Sequence, residues 1–494
     1  MPDSNRAVPR GALRVAVLAD SDTRWKWGAL TARRLASGPG AGLETGLETG
    51  LETGLEIEVE PHLSGYLLRG RATPTARQLG EVGVRADRLT EVTCAQFLAE
   101  LRRERYDVVV LALVGGAVQA VLHGARALWP EPAHRPVLVT GYVGVVYEKL
   151  ADGLLLRHGA DLVLANSRHD AGRFRAVYEG VGADASAVTE TALPFLEGAP
   201  YEPAGSGAHT VVFAVQPSVP QSRADRTYLL GRAAEHARLH PEREVLVKLR
   251  SRPGEHTTHL EEFPYQRLAE RVPGGLPANC RLVYGNMGEV LDGADLLVTV
   301  SSTAALESLH RGVPTAVLTD LGIREVLGNH HFLGSGCLAS WDQLDAGLLP
   351  RGDPAWLAAQ GVTGPAAAGR APVAAAVDAE ACAPDDAYAP DDAYAPDDAY
   401  AAARARLVRL LGQGPLPAVA PYYTPVTAPG YLPGILARHH LAPDGTPLPG
   451  AVRVEGGESR LRRRVRAHVR EAARGAYRQG VQRVAPLIRR LGEL

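Results

Sequence analysis

The chain of 494 residues has only four cysteines, Cys94, Cys280, Cys337 and Cys382, and no two share a short spacing. That argues against a zinc ribbon and a disulfide-stapled fold, and suits a reducing compartment. Methionine (2) and phenylalanine (6) are also scarce. No apolar run approaches the roughly 20 residues of a membrane-spanning helix. The first residues, MPDSNRAVPRGALR, carry no apolar segment, so no signal peptide and a cytoplasmic location are expected. An excess of one charge is missing as well: 53 basic residues stand against 55 acidic ones. A global pull toward nucleic acid is therefore not expected. No GxxxxGK[ST] occurs, and no GxGxxG follows the first strand, which disfavours a P-loop ATPase and a dinucleotide site.

What is present is an alternation of short apolar runs and helical segments. Runs at 13–20, 57–60, 106–115, 136–144 and 161–167 read as buried strands, with helices around 90–104, 116–129, 148–158 and 168–181. A Pro/Gly-containing stretch at 194–207 reads as a linker. A second series follows, with strands at 210–217, 244–250, 280–286, 295–302 and 314–320. The expected fold is α/β, two doubly wound Rossmann-like domains facing a cleft. The expected divisions are 12–200, with a LETG-repeat loop at 43–56, then 206–345. A low-complexity insertion at 346–405 holds PDDAYA repeats. A segment at 406–458 is expected to pack on the core, and a basic helical tail fills 459–494. Two such halves suit glycosyltransferases, non-hydrolysing sugar-nucleotide epimerases and periplasmic-type binding proteins. The expected absence of a signal peptide weighs against the last.

Four segments could carry chemistry. In DLLVTVSSTAALESLHRG, an apolar strand delivers Ser301, Ser302 and Thr303 to a helix N-terminus, where free N–H groups favour an anion. Glu307, one turn on, could accept ribose hydroxyls; the alternative for the hydroxyls is a helix cap. In EVLVKLRSRPGEHTTH, Lys248, Arg250 and Arg252 leave a strand end toward His256 and His259. A diphosphate suits them, and so does plain solvent. The histidine pair lacks a carboxylate pattern, so no metal is expected.

In LADSDTRWKWG, Asp20 or Asp22 could serve as general base, with Arg24 and Lys26 beside the substrate. The alternative is that Asp20 caps the next helix while Trp25 and Trp27 pack. In TGYVGVVYEKL, Gly141 and Gly144 permit close backbone approach, and Tyr142 could stack on a sugar or base. Asn166 and Ser167 would border the same cleft. The tail carries eleven arginines between Arg460 and Arg490. It suits peripheral contact with an anionic membrane, or a solvated helix.

RVAVLADSDTRWKWGAL, DLVLANSRHD, VKLRSRPGEHTTHLE and SSTAALES resemble an actinobacterial family of glycosyltransferase type and unknown function, over about residues 13–345. More distantly, the second half is similar to bacterial polysialyltransferases and capsule transferases. Their Ser-Ser element corresponds to Ser301 and Ser302, whereas Arg252-Pro253 stands where they carry His-Pro. The resemblance implies a GT-B-like fold and metal-independent, inverting transfer from a nucleotide-sugar donor, such as a CMP-linked sugar acid. The acceptor would be a cell-envelope glycan or a lipid-linked acceptor. Ser301, Ser302 and Lys248 would stabilise the leaving phosphate, with no cofactor. The alternatives are an epimerase of the same fold and a non-catalytic nucleotide- or glycan-binding protein.

Overall fold

The computed structural model describes residues 12–37, 60–70, 72–145, 149–203, 209–252, 255, 261–362, 364 and 398–451. The LETG loop, most of the PDDAYA tract, His256, His259 and the basic tail lie outside them. Two parallel sheets, each flanked by helices, account for the strands. The first holds β1 (Arg14–Ala19), β2 (His62–Leu68), β3 (Arg88–Val92), β4 (Val108–Ala112), β5 (Val137–Gly141), β6 (Leu162–Ala165) and β7 (Val188–Glu190). The second holds β8 (His209–Ala214), β9 (Arg243–Lys248), β10 (Cys280–Val283), β11 (Leu296–Thr299), β12 (Thr315–Leu318) and β13 (Leu338–Ala339). Their orders are β3-β2-β1-β4-β5-β6-β7 and β10-β9-β8-β11-β12-β13. Both orders reverse beside the first strand, so each sheet has a switch point, at β1/β4 and at β8/β11. Open α/β sheets bind ligands beyond the strand C-termini at such points.

Apolar residues fill both faces of the central strands, as a sheet covered on both sides requires. The opposite, N-terminal edge is tied by a repeated device. Asp87, Asp107, Asp161 and Asp295 each stand just before a strand. Each accepts the backbone N–H of a residue at the neighbouring strand: Leu63, Arg14, Leu138 and Thr210, at 2.7–2.8 Å. These bonds help fix strand register.

Helix α1 (Asp22–Ala36) is capped by Ser21, whose side chain accepts from Arg24 N. Trp25 and Trp27 are each 1% exposed and belong to the core. Gly28 lets α1 lie directly on the first switch point. A Cβ there would fall 2.7 Å from Val17 Cγ1 and 2.8 Å from Ala112 Cβ. Gly28→Val should therefore destabilise the first domain by about 2–3 kcal/mol. A thermal melt checks this, and an unchanged Tm would contradict the packing described.

One core cluster runs through both sheets' facing layers and the linker, from Val17 and Trp27 to Leu297, Leu306 and Phe332. After the second sheet the chain returns to the first domain. The helix Ala401–Gly412 meets α1, with Arg404 donating to Arg34 O. Residues 416–441 then supply Val419, Leu432, Leu436 and Leu441 to the first domain's outer core. No described helix is long and apolar enough to cross a membrane.

Candidate functional site

The C-terminal ends of the two sheets face each other, and α1 presents the chemistry of the first. Asp22 and Lys26 lie one turn apart on its face. Asp22 Oδ1 accepts from Arg250 Nη2 of the second domain at 2.8 Å. The same Arg250 nitrogen donates to Thr23 Oγ1 at 2.5 Å. Burial pushes the Asp22 carboxyl up. The Arg250 charge and the hydrogen bonds from Arg250 and Thr23 outweigh that and hold it below the usual carboxylate range. One turn on, Lys26 Nζ stands 3.6 Å from Glu307 Oε2 and 5.0 Å from the Phe195 ring centroid. Glu307 is 7% exposed, and burial raises its carboxyl above the usual value despite Lys26 and Arg311.

A third bridge comes from helix α2 (Ala76–Val82), started by a capping box of Thr75 and Gln78. Arg77 Nε donates to Glu255 Oε1 at 2.6 Å. The guanidinium groups of Arg77 and Arg252 lie 5.8 and 5.4 Å from the Tyr284 ring centroid. Glu255 also accepts from Arg252 N at 2.8 Å.

Lys248, the last residue of β9, is 6% exposed. Its ammonium donates to Leu249 O at 2.8 Å, and among the described residues no carboxylate lies within ion-pair distance. Burial pushes it down to about 8. Glu81 and Glu307 oppose that shift, while Arg250 and Arg77 add to it.

Both switch points are closed in the same way. Beyond β1, Asp20 Oδ2 accepts from Val114 N beyond β4 at 2.9 Å, while Oδ1 accepts from Arg24 Nη1 at 2.9 Å. Beyond β8, Gln216 Oε1 accepts from Ser301 N beyond β11 at 2.9 Å. Asp20 thus braces the first sheet, and Asp22 is the acid that reaches the opposite domain.

The hydroxyl turn divides three ways. Ser301 is 4% exposed and donates to Leu327 O at 2.6 Å, so its hydroxyl proton points into the fold. Ser302 Oγ accepts from Ala304 N at 3.2 Å, the first N–H of the helix Ala304–Arg311, whose N-cap residue is Thr303. Thr303 faces the first domain: a Cβ on Gly144 would fall 3.0 Å from its Oγ1. Gly141 is needed for packing, since a Cβ there would meet Leu164 O at 2.8 Å and Trp27 at 2.9 Å. Tyr142 packs inward, its ring 4.0 Å from Arg157 Cζ and 5.5 Å from the Phe174 centroid. Asn166 Nδ2 donates to Tyr142 O and Gly144 O, fixing that loop. Ser167 caps the helix Arg168–Gly180.

Gln216, Arg77, Glu81, Glu255 and Arg157 are the site residues that sequence reasoning missed. Only Gln216 carried a local signal, a polar residue two places beyond an apolar strand.

Among the described residues one trio, His236, His240 and Asp345, brings ligand-type atoms within 4.8 Å of one another. It lies at the N-terminal edge of the second sheet, away from the cleft. His236 Nδ1 bonds Asp345 Oδ1 at 2.6 Å, and Arg243 stands 3.2 Å from Nε2. Arg232 holds the other Asp345 oxygen at 2.8 Å. With both imidazole nitrogens engaged and two guanidinium groups adjacent, the trio reads as a hydrogen-bonded brace. A small cavity lined by Arg34, Leu193, His310 and Tyr400 lies under the linker, also away from the strand ends.

The sequence matches the protein family described as "Putative glycosyltransferase (DUF6716)" over residues 15–378, and the chain belongs to that family. No curated protein matches it. Similar solved structures include a "putative UDP-N-acetylglucosamine 2-epimerase" from Listeria monocytogenes. It is 11% identical, with 68% of this chain and 86% of that one covered and a TM-score of 0.44. A UDP-GlcNAc 2-epimerase from Methanocaldococcus jannaschii is 9% identical, covering 67% and 90%, with a TM-score of 0.41. One from Neisseria meningitidis, bound to UDP-GlcNAc, is 8% identical, covering 67% and 89%, with a TM-score of 0.40. By its own topology the chain has a GT-B-like α/β fold, two Rossmann-type sheets flanked by helices and facing a cleft.

Proposed function

We propose that the chain is an enzyme acting on a nucleotide-linked sugar, gripped in the cleft by the phosphate or diphosphate that joins sugar to nucleoside. The observation that carries this reading is Lys248, a buried ammonium without a carboxylate among the described residues, beside Arg250 at a strand end. Leaving such a charge unpaired is costly, and an anionic ligand would compensate it. Thr303, Ser302 and the exposed Arg252 add donors around the same phosphates. Glu307, beside Lys26, would accept hydrogen bonds from ribose hydroxyls. The departing phosphate would be stabilised by these cations, so the grip does not call for a divalent ion.

Our first reading of the chemistry is glycosyl transfer, which the family description supports. Asp22 would take the acceptor hydroxyl's proton, and Arg24 and Lys26 would line the acceptor side. A second reading, epimerisation of the donor sugar, is favoured by two cleft carboxyls shifted in opposite directions, Asp22 lowered by Arg250 and Glu307 raised by burial against the pull of Lys26. Elimination and re-addition need such a base and acid and no acceptor.

UDP-, GDP-, TDP- and CMP-linked sugars should be screened by thermal shift, and the product analysed with and without glycan or lipid-linked acceptors. Acceptor-dependent release of the nucleoside phosphate supports transfer. An isomerised nucleotide sugar without acceptor supports epimerisation. Failure of every donor to bind would remove both readings.

A further inference from the structure

We propose that the Asp22 carboxylate is an internal stand-in for the donor's diphosphate on Arg250, and that the donor's arrival displaces it. This rests on the nucleotide-sugar reading above. Three observations converge on it. The first is that the cleft is spanned by ion pairs between opposite domains, Asp22 with Arg250, Lys26 with Glu307, and Arg77 with Glu255. The residue types suited to bind phosphate and to move a proton thus neutralise one another across the cleft.

The second is geometric. Arg250 uses one nitrogen, Nη2, for both Asp22 Oδ1 and Thr23 Oγ1. A guanidinium offers five N–H donors in a fork matched to two oxygens of one anion. The Asp22 contact is single-pronged, and the Arg250 side chain keeps 30% of its surface exposed. A diphosphate, with more charge and more oxygens, can engage both prongs.

The third is the placement of Lys248. Its charge lies near Arg250 and Arg77, a repulsion that Glu81 and Glu307 offset only from a distance, since among the described residues neither forms an ion pair with it. An entering diphosphate gains from Lys248 and Arg250 together, whereas Asp22 reaches only the latter among the described contacts. The exchange therefore favours the ligand.

The consequence is an ordered site. With the cleft empty, Asp22 is clamped and weakly basic, so it cannot activate a stray water. Once the diphosphate holds Arg250, the carboxylate loses its guanidinium partner and becomes a competent proton acceptor. Thr23 remains beside it as a hydrogen-bond donor, with Oγ1 at 3.4 Å from Oδ1.

The sign of one binding change tests this. Isothermal titration of the full chain with UDP, CMP and inorganic pyrophosphate should show Asp22→Asn binding its best ligand about 5- to 10-fold more tightly than wild type. Turnover should fall while the donor KM also falls. Adding Arg250→Gln should abolish the gain in affinity. Asp22→Ser, also tolerated in a first helical turn, should behave alike, and circular dichroism confirms that each variant is folded. Unchanged or weaker binding in both variants would overturn the stand-in role, making Asp22 a residue that positions Arg250, with the nucleotide reading intact. Absence of binding by wild type and variants alike would overturn that reading, and this inference with it.

Discussion

Lys248→Met should weaken binding of the nucleoside diphosphate by roughly 30- to 100-fold, equivalent to about 2–3 kcal/mol for a buried charge-assisted contact. The same substitution should raise the thermal stability of the unliganded protein. Both effects have one cause. The ammonium is 6% exposed and, among the described residues, meets only the Leu249 carbonyl. Methionine keeps most of the stem's volume and removes the cost of burying the charge. A residue that destabilises the empty site and is answered by the ligand exemplifies a stability–activity trade-off.

The pH dependence follows with a definite sign. Folding lowers this lysine from 10.5 to about 8. Between those values the unfolded chain holds more protons than the folded one, so the stability of the empty protein should rise with pH across that window. The ligand prefers the protonated form, so its affinity should fall as pH rises above about 8. Lys248→Met should flatten both trends at this group. Titrations and melts at pH 7, 8, 9 and 10 check this, and a wild-type affinity that stays level would contradict it.

The sequence carried the sheets because their central strands are uninterrupted apolar runs. RVAVLA, VVVLA and LVLA cannot be solvated, and they alternate with helical segments. It concealed β3, whose RLTEV is polar and largely exposed at the sheet's edge. It also concealed β7 and β13, three and two residues long. The run expected as a strand at 57–60 lies, Glu60 apart, outside the described residues, and β2 at His62–Leu68 was concealed because HLSGYLL mixes small and polar residues into a buried strand.

For the site, motif position was legible and side-chain direction was not. Ser301, Ser302 and Thr303 follow the end of β11, beside the β8/β11 switch point. Neighbouring residues leaving a strand point different ways, so the first turns inward, the second accepts the first helical N–H and the third faces the first domain. The trans-domain partners were not readable. Arg77 and Glu255 are 178 residues apart, and only the folded domains bring them together. The pairing of Asp22 with Arg250 likewise shows that a motif in one half finds its chemistry in the other.

Arg157→Ala should destabilise the first domain by about 3–5 kcal/mol, from three buried carbonyls that lose a charged donor and the cavity left behind. The guanidinium is 5% exposed, and all three of its nitrogens donate to backbone carbonyls. Nε reaches Gly141 O at 3.0 Å, Nη1 Gly153 O at 2.7 Å, and Nη2 Leu113 O at 3.2 Å. It therefore ties the ends of β4 and β5 to the helix Leu150–Leu155. It also lies over the Tyr142 ring, where the aromatic face favours a cation. Burial lowers its pKa, yet a guanidinium stays charged at neutral pH. Alanine leaves three carbonyls without this donor and opens a cavity beneath Tyr142. Lysine retains the charge but not the planar fork, so Arg157→Lys should fold with an intermediate loss of stability. Its main defect should be functional. The Gly141–Gly144 loop abuts Thr303, and loosening it alters the wall opposite the phosphate grip. Arg157→Lys should therefore lower turnover more than nucleotide affinity, because Lys248 and Arg250 stay in place. Melts followed by limited proteolysis locate the damage in the first domain. Wild-type stability in Arg157→Ala, or a loss confined to nucleotide affinity in Arg157→Lys, would contradict the assignment of this arginine as the tie between strand ends.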